Sequence, residues 1–155
     1  MGVSGSGKST LGNALAESLK VPFIEGDDFH SQFNIEKMKN GIPLTDADRI
    51  PWLSKLGKQL EKQQRVGAVL ACSALKASYR ELLTNRVTKK KILWVYLKCE
   101  MKQLSLRMRK RNHFMPLSLL QSQLDTLEEP KEAVLLDGNL SILEMMHLIK
   151  KQIND

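Results

Sequence analysis

The sequence predicts an α/β fold built on a parallel sheet, and three observations carry that prediction. Apolar runs short enough to be strands alternate with segments of helical periodicity along the 155-residue chain. A phosphate-binding loop of the form G-x-x-x-x-G-K-[ST] stands at Gly2-Val3-Ser4-Gly5-Ser6-Gly7-Lys8-Ser9, and such a loop belongs between a buried strand and a helix. No repeat, linker or low-complexity stretch interrupts the pattern, so one domain over residues 1–155 is expected.

Taken in order, Leu11, Leu15 and Leu19 line one face of a first helix, and Val21 to Glu25 reads as a short strand. Trp52, Leu53, Leu56 and Leu60 mark a second helical face, entered through Thr45-Asp46-Ala47-Asp48, a capping-box pattern. Pro51 fits that helix only near its first turn. Gly67 to Leu75 is the strongest buried strand and leads into a helix through Tyr79 and Leu83. Ile92 to Leu97 is the next strand, followed by a helix with Leu104 and Met108. Pro116 opens a helix carrying Leu117, Leu120, Leu124 and Leu127. Ala133 to Asp137 is a last strand, and Ser141 with Glu144 caps a final helix holding Met145 and Ile149.

Composition narrows the class. With 42% hydrophobic and 26% charged residues the chain reads as an ordinary globular protein. No apolar run approaches the ~20 residues of a membrane span, and no signal-peptide pattern is present, so a cytoplasmic protein without a membrane partner is expected. Cys72 and Cys99 form no C-x-x-C pair, which suits a reducing compartment. The net charge of +7 gathers at Arg86 to Lys91 and Arg107 to Arg111. No aromatic residues interleave with either cluster, which argues against a single-strand stacking platform, and no nucleic-acid partner is expected.

The phosphate loop carries the firmest chemistry. Gly2, Gly5 and Gly7 let the backbone wrap a phosphate, with Val3, Ser4 and Ser6 supplying further N–H groups. The helix starting near Lys8 adds its N-terminal dipole. Lys8 would reach the β- and γ-phosphates, Ser9 would ligate Mg²⁺, and Thr10 continues the ATP-binding stretch. A second site is signalled by Glu25-Gly26-Asp27-Asp28-Phe29-His30. This acidic turn follows a strand and should therefore face the loop, where a carboxylate can orient an attacking hydroxyl. Arg49, Lys76 and Arg80 lie near helix starts or after strands, placed to grip a substrate carboxylate. Arg107 and Arg111 are four apart on one helical face and could close over a transferring phosphoryl group; a solvated basic helix end is the alternative. His30, His147 and Met38 read as structural and Trp52 as core.

The stretches "MGVSGSGKST", "EGDDFH…N…KM…GIPLTDADRIPWL", "CSALK..YR" and "HFMP..LL.SQ..TLEEP", in this order, resemble the gluconokinase family from Met1 to about Pro130. That resemblance implies a nucleoside-monophosphate-kinase-like, three-layer α/β/α P-loop NTPase fold with sheet order 2-3-1-4-5. It implies transfer of the ATP γ-phosphoryl, with Mg²⁺, to the 6-hydroxyl of D-gluconate, by a chain whose family members are often homodimers. By resemblance Asp27 takes the acceptor-hydroxyl role. Arg49, Lys76, Arg80, His113 and Gln123 become gluconate-side contacts, and Arg107 and Arg111 lid arginines in a segment at about 107–116. His113 also has a plain reading, a half-buried histidine beside Phe114. Asp137 to Asn139 would lie near the adenine.

Three departures from the family pattern stand out. Glu25 replaces the usual aspartate before the Gly-Asp pair, moving its carboxylate by roughly one carbon–carbon bond, about 1.5 Å. The stretch between Arg111 and His113 is one residue shorter than usual. The third is the opening: the central strand that should precede the loop is missing from Met1 onward. One expectation is that Met1 is an internal methionine of a longer chain. Two alternatives to gluconate phosphorylation stay open, a kinase of another small hydroxy acid such as shikimate, and a truncated nucleotide-binding module without turnover.

Overall fold

Four short strands form two parallel pairs in the computed structural model, which describes residues 1–88, 92–110 and 116–154. Strand β1 (Phe23–Glu25) pairs with β2 (Val69–Ala71), Phe23 opposite Val69. Strand β3 (Val95–Lys98) pairs with β4 (Val134–Asp137), Val95 opposite Val134. Among the described residues seven helices surround them: α1 (Lys8–Leu19), α2 (Gln32–Lys39), α3 (Asp46–Gln63), α4 (Ala77–Thr84), α5 (Met101–Lys110), α6 (Ser118–Thr126) and α7 (Ile142–Asn154). A single 3₁₀ turn, Gly26–Phe29, leads from β1 towards α2.

Strand alternation sorts the side chains into two cores, which makes the domain three-layered. Leu97 and Leu136 point to one face and pack with Leu11 and Leu15 of α1 and Met145 and Ile149 of α7. Ile24 and the residues around β2 point to the other, against Trp52, Leu53 and Leu56 of α3, Leu83 of α4, Leu104 of α5 and Leu120 of α6. Leu53, Leu56, Leu83, Leu104 and Leu120 are fully buried there.

The expected capping box at α3 is present. Thr45 Oγ1 accepts from the Asp48 amide at 3.2 Å, and the Asp48 carboxylate accepts from the Thr45 amide at 2.8 Å. The Lys37 ammonium, 2.6 Å from the same carboxylate, is the main reason Asp48 is held down to about 2. Pro51 sits one turn deeper than its chemistry favours, yet α3 continues through it. A proline there removes one N–H bond, and its ring is on the exposed side, so the packed face is undisturbed.

The strands are shorter than their apolar runs, β2 taking only Val69–Ala71 of the run from Gly67 to Leu75. Among the described residues nothing but Met1 and Gly2 lies between β2 and β3. Met1 donates to Val95 O at 2.5 Å and accepts from Leu97 N at 3.0 Å, the pattern of a parallel bridge opposite Tyr96. Gly2 N donates to Ser73 O at 3.2 Å, just past β2. Ahead of this two-residue bridge the halves are separated by an apolar cavity of about 430 Å³, lined by Leu11, Leu15, Val69, Trp94 and Val95 among others. Strand order is therefore β1-β2 and β3-β4 with Met1 and Gly2 between them, which matches the expected 2-3-1-4-5. Burial in this slot lowers the Met1 ammonium to about 5.

Candidate active site

The phosphate loop is shaped by positions that a side chain could not occupy. At Gly2 the backbone has φ +144°, and a Cβ would stand 2.9 Å from Leu97 O. Gly7 takes φ +96° as the N-cap of α1, and a Cβ there would meet nothing within 4 Å. The space above the first turn of α1 is thus open. No side chain caps that turn, so its N–H groups face a ready anion position. Lys8 folds back over the loop, its ammonium donating to Val3 O at 2.9 Å. Burial lowers its pKa, opposed first by the nearby Asp27 carboxylate.

Asp27 comes to the same cleft from the end of β1. Its position is set by Gly26, wedged so tightly on β2 that a Cβ would lie 2.5 Å from Ala71 O. Trp52 Nε1 donates to Gly26 O at 2.8 Å and locks the turn from the α3 side. Gly7, Lys8, Ser9, Asp27, Arg49, Arg107 and Gln123 all line one cleft, whose far wall is the apolar group Met38, Pro43, Leu44 and Leu119.

The basic residues divide. Arg49 lines the cleft, with Nη1 donating to Tyr79 OH at 3.2 Å and the guanidinium over the Tyr79 ring. Lys76 points elsewhere, paired with the exposed Asp46 at 3.1 Å, and Asp46 also accepts from Tyr79 OH. Arg80 donates to Ala74 O at 2.9 Å and Leu75 O at 3.3 Å, bracing a turn in which Ala74 takes φ +48°. Gln123 reaches from α6 to the loop itself, accepting from Ser4 N at 2.7 Å. Arg107 lies across the loop, donating to Gly138 O at 2.6 Å and Ser6 O at 3.4 Å. Arg111 and His113 lie outside the described residues, as does half of the expected lid segment, 111–115. Asp137 and Asn139 bond each other at 2.8 and 2.9 Å behind Arg107.

Two residues of the cleft escape a reading of the sequence. Trp52 is core on one face and cleft wall on the other. His30 also lines the cleft, its signal being only that it stands three residues after Asp27.

The shikimate kinase family model matches residues 4–139. A gluconokinase from Arabidopsis thaliana is 38% identical, the alignment covering 99% of this chain and 92% of that protein. The gluconokinase of Gluconobacter oxydans is 50% identical over 84% of this chain and 74% of its own. This chain belongs to the shikimate kinase family, among its gluconokinases. A solved gluconokinase structure from Sinorhizobium meliloti superposes with a TM-score of 0.87 at 45% identity, covering 99% of this chain and 91% of that one. A Mycobacterium tuberculosis APS kinase in complex with AMPPNP and APS, 18% identical with a TM-score of 0.72, shares the fold. The gluconokinase-family fold accounts for the strand order, and its kinase membership makes the chain an ATP-using phosphotransferase. Among the described residues no helix is long and apolar enough to cross a membrane.

Proposed function

We propose that the protein phosphorylates D-gluconate to 6-phospho-D-gluconate with ATP and Mg²⁺. The observation that carries this reading is that Lys8, Asp27 and Arg49 line one cleft. It is supported by gluconokinase relatives at 38–50% identity. The loop N–H groups and Lys8 bind the β- and γ-phosphates, and Arg107 spreads positive charge over them. The Ser9 hydroxyl would hold Mg²⁺, which would supply further charge neutralisation. Asp27 accepts a hydrogen bond from the terminal hydroxyl of gluconate and aims its oxygen in line with the γ-phosphorus. Because an ordinary carboxylate is a weak base for an alcohol, orientation is its main contribution. Arg49 pairs with the gluconate carboxylate. Of the expected gluconate contacts, Lys76 and Arg80 act at one remove, through Asp46 and the Ala74 turn. The Asp137–Asn139 turn borders the adenine. We place the enzyme in the cytoplasm, acting on small molecules and not on nucleic acid, as a homodimer like many gluconokinases.

A coupled ADP-release assay over a panel of sugar acids tests this. Turnover is expected with gluconate and not with shikimate; the reverse pattern overturns the choice of acceptor.

A further inference from the structure

We propose that His30 is a positioning residue for Asp27, presenting a neutral Nε2–H to its carboxylate. The inference rests on the acceptor-side role given to Asp27 above. The Asp27 side chain is 48% exposed, so by itself it is free to swing between the cleft and solvent. His30 is different: its side chain is 4% exposed, stacked on Trp52 with ring centroids 4.1 Å apart and planes 17° from parallel. The same Trp52 bonds Gly26 O, so one indole fixes both the backbone before Asp27 and the ring beside it.

The tautomer follows from Asn34. This asparagine is buried in the first turn of α2, behind the Ser31 N-cap that accepts from its amide at 3.1 Å. Its side-chain Nδ2 lies 3.0 Å from Asp48 O. A carbonyl only accepts, so the –NH₂ end of Asn34 must face it. The second hydrogen of that –NH₂ then meets His30 Nδ1 at 3.4 Å. With Nδ1 accepting, the proton of the neutral ring is on Nε2, and Nε2 stands 3.9 Å from Asp27 Oδ1. That is too long for a direct hydrogen bond, yet short enough for the N–H dipole to favour the carboxylate rotamer that faces the cleft. Burial keeps the ring neutral at ordinary pH, so it orients the carboxylate without becoming a cation in the acceptor site.

Two variants separate orientation from packing. His30→Phe keeps a flat ring on Trp52 and removes both nitrogens, whereas His30→Gln keeps an N–H donor of similar reach. Each is assayed with ATP and gluconate, alone and combined with Asp27→Asn. We expect His30→Phe to lower kcat by about 10- to 100-fold, with both KM values within roughly twofold, and His30→Gln to recover most of that loss. In the Asp27→Asn background His30→Phe should cost less than about twofold more, because the group it orients is gone. His30→Phe with undiminished kcat, while Asp27→Asn is impaired, overturns the positioning role and leaves the Asp27 reading intact. Full turnover by Asp27→Asn overturns that reading itself. A rise in gluconate KM with kcat unchanged makes His30 a direct ligand contact and also overturns the proposal. Independently of turnover or of any variant's folding, ¹⁵N spectra of the intact protein at neutral pH should show His30 protonated on Nε2; protonation on Nδ1 overturns it.

Discussion

Asp27, His30 and Arg49 carry the sharpest predictions at the scale of single residues. Asp27→Asn keeps the shape of the turn and removes the charge that aligns the acceptor. It should lower kcat by about 10²- to 10⁴-fold and leave ATP binding, read by isothermal titration, within a few-fold of wild type. Arg49 and Lys76 look equivalent in sequence but not in space. Arg49→Lys should raise the gluconate KM roughly tenfold, since a point ammonium cannot reproduce a two-pronged contact. Lys76→Ala, which breaks an exposed pair with Asp46, should change that KM less than about twofold. His30 adds a pH dependence. Burial, with a smaller push from Arg49 and an opposing pull from Asp27, lowers its pKa to about 4 against an ordinary 6.5. The folded state therefore favours the neutral ring, and the unfolded chain binds the proton more readily. Stability from this group is fully present above pH 6.5 and is lost as pH falls to about 4, at most roughly 3 kcal/mol. Melting temperatures measured across that window should fall less steeply for His30→Phe than for the native protein.

The start of α3 shows how an element is specified locally and then used remotely. Thr45 and Asp48 satisfy each other's backbone N–H groups, and the Asp48 carbonyl holds Asn34 in place. Thr45→Ala should cost about 1 kcal/mol, visible as a drop in melting temperature of roughly 2–4 °C. Such caps are legible because donor and acceptor lie three residues apart in the sequence. Strand lengths are not legible in that way. Gly67 to Leu75 reads as one long strand, yet only Val69–Ala71 forms a ladder, because its partner β1 offers only Phe23–Glu25 to pair with. The turn after β1 was readable as an acidic site from Asp27 and Asp28, whereas the part played by His30 depends on α2 and α3 closing around it.

At the scale of the whole fold, an apolar cavity of about 430 Å³ lies between the half-sheets, with Met1 among its lining residues. A sheet partner for an otherwise unpaired, buried backbone group is worth on the order of 1–3 kcal/mol. A segment of four or five β-branched residues joined ahead of Met1 should pair with both edges, continuing the bridge that Met1 makes to Val95 and Leu97. Differential scanning calorimetry should show a clear rise in melting temperature for that form. A glycine-serine segment of equal length should give none.

The sequence by itself determined the phosphate loop, the acidic turn at Asp27, the caps of α3 and α7, the order of strands and helices, and the family. All of these are written in contiguous residues whose backbone chemistry acts over a few positions. Only the tertiary structure decided which cations reach the cleft, that Gln123 closes on Ser4 from 119 residues away, and that His30 faces Asp27 with its Nε2 edge. Those choices depend on which elements pack together. A side chain's partner across a core is set by the shape of the whole fold, and no local spacing encodes it.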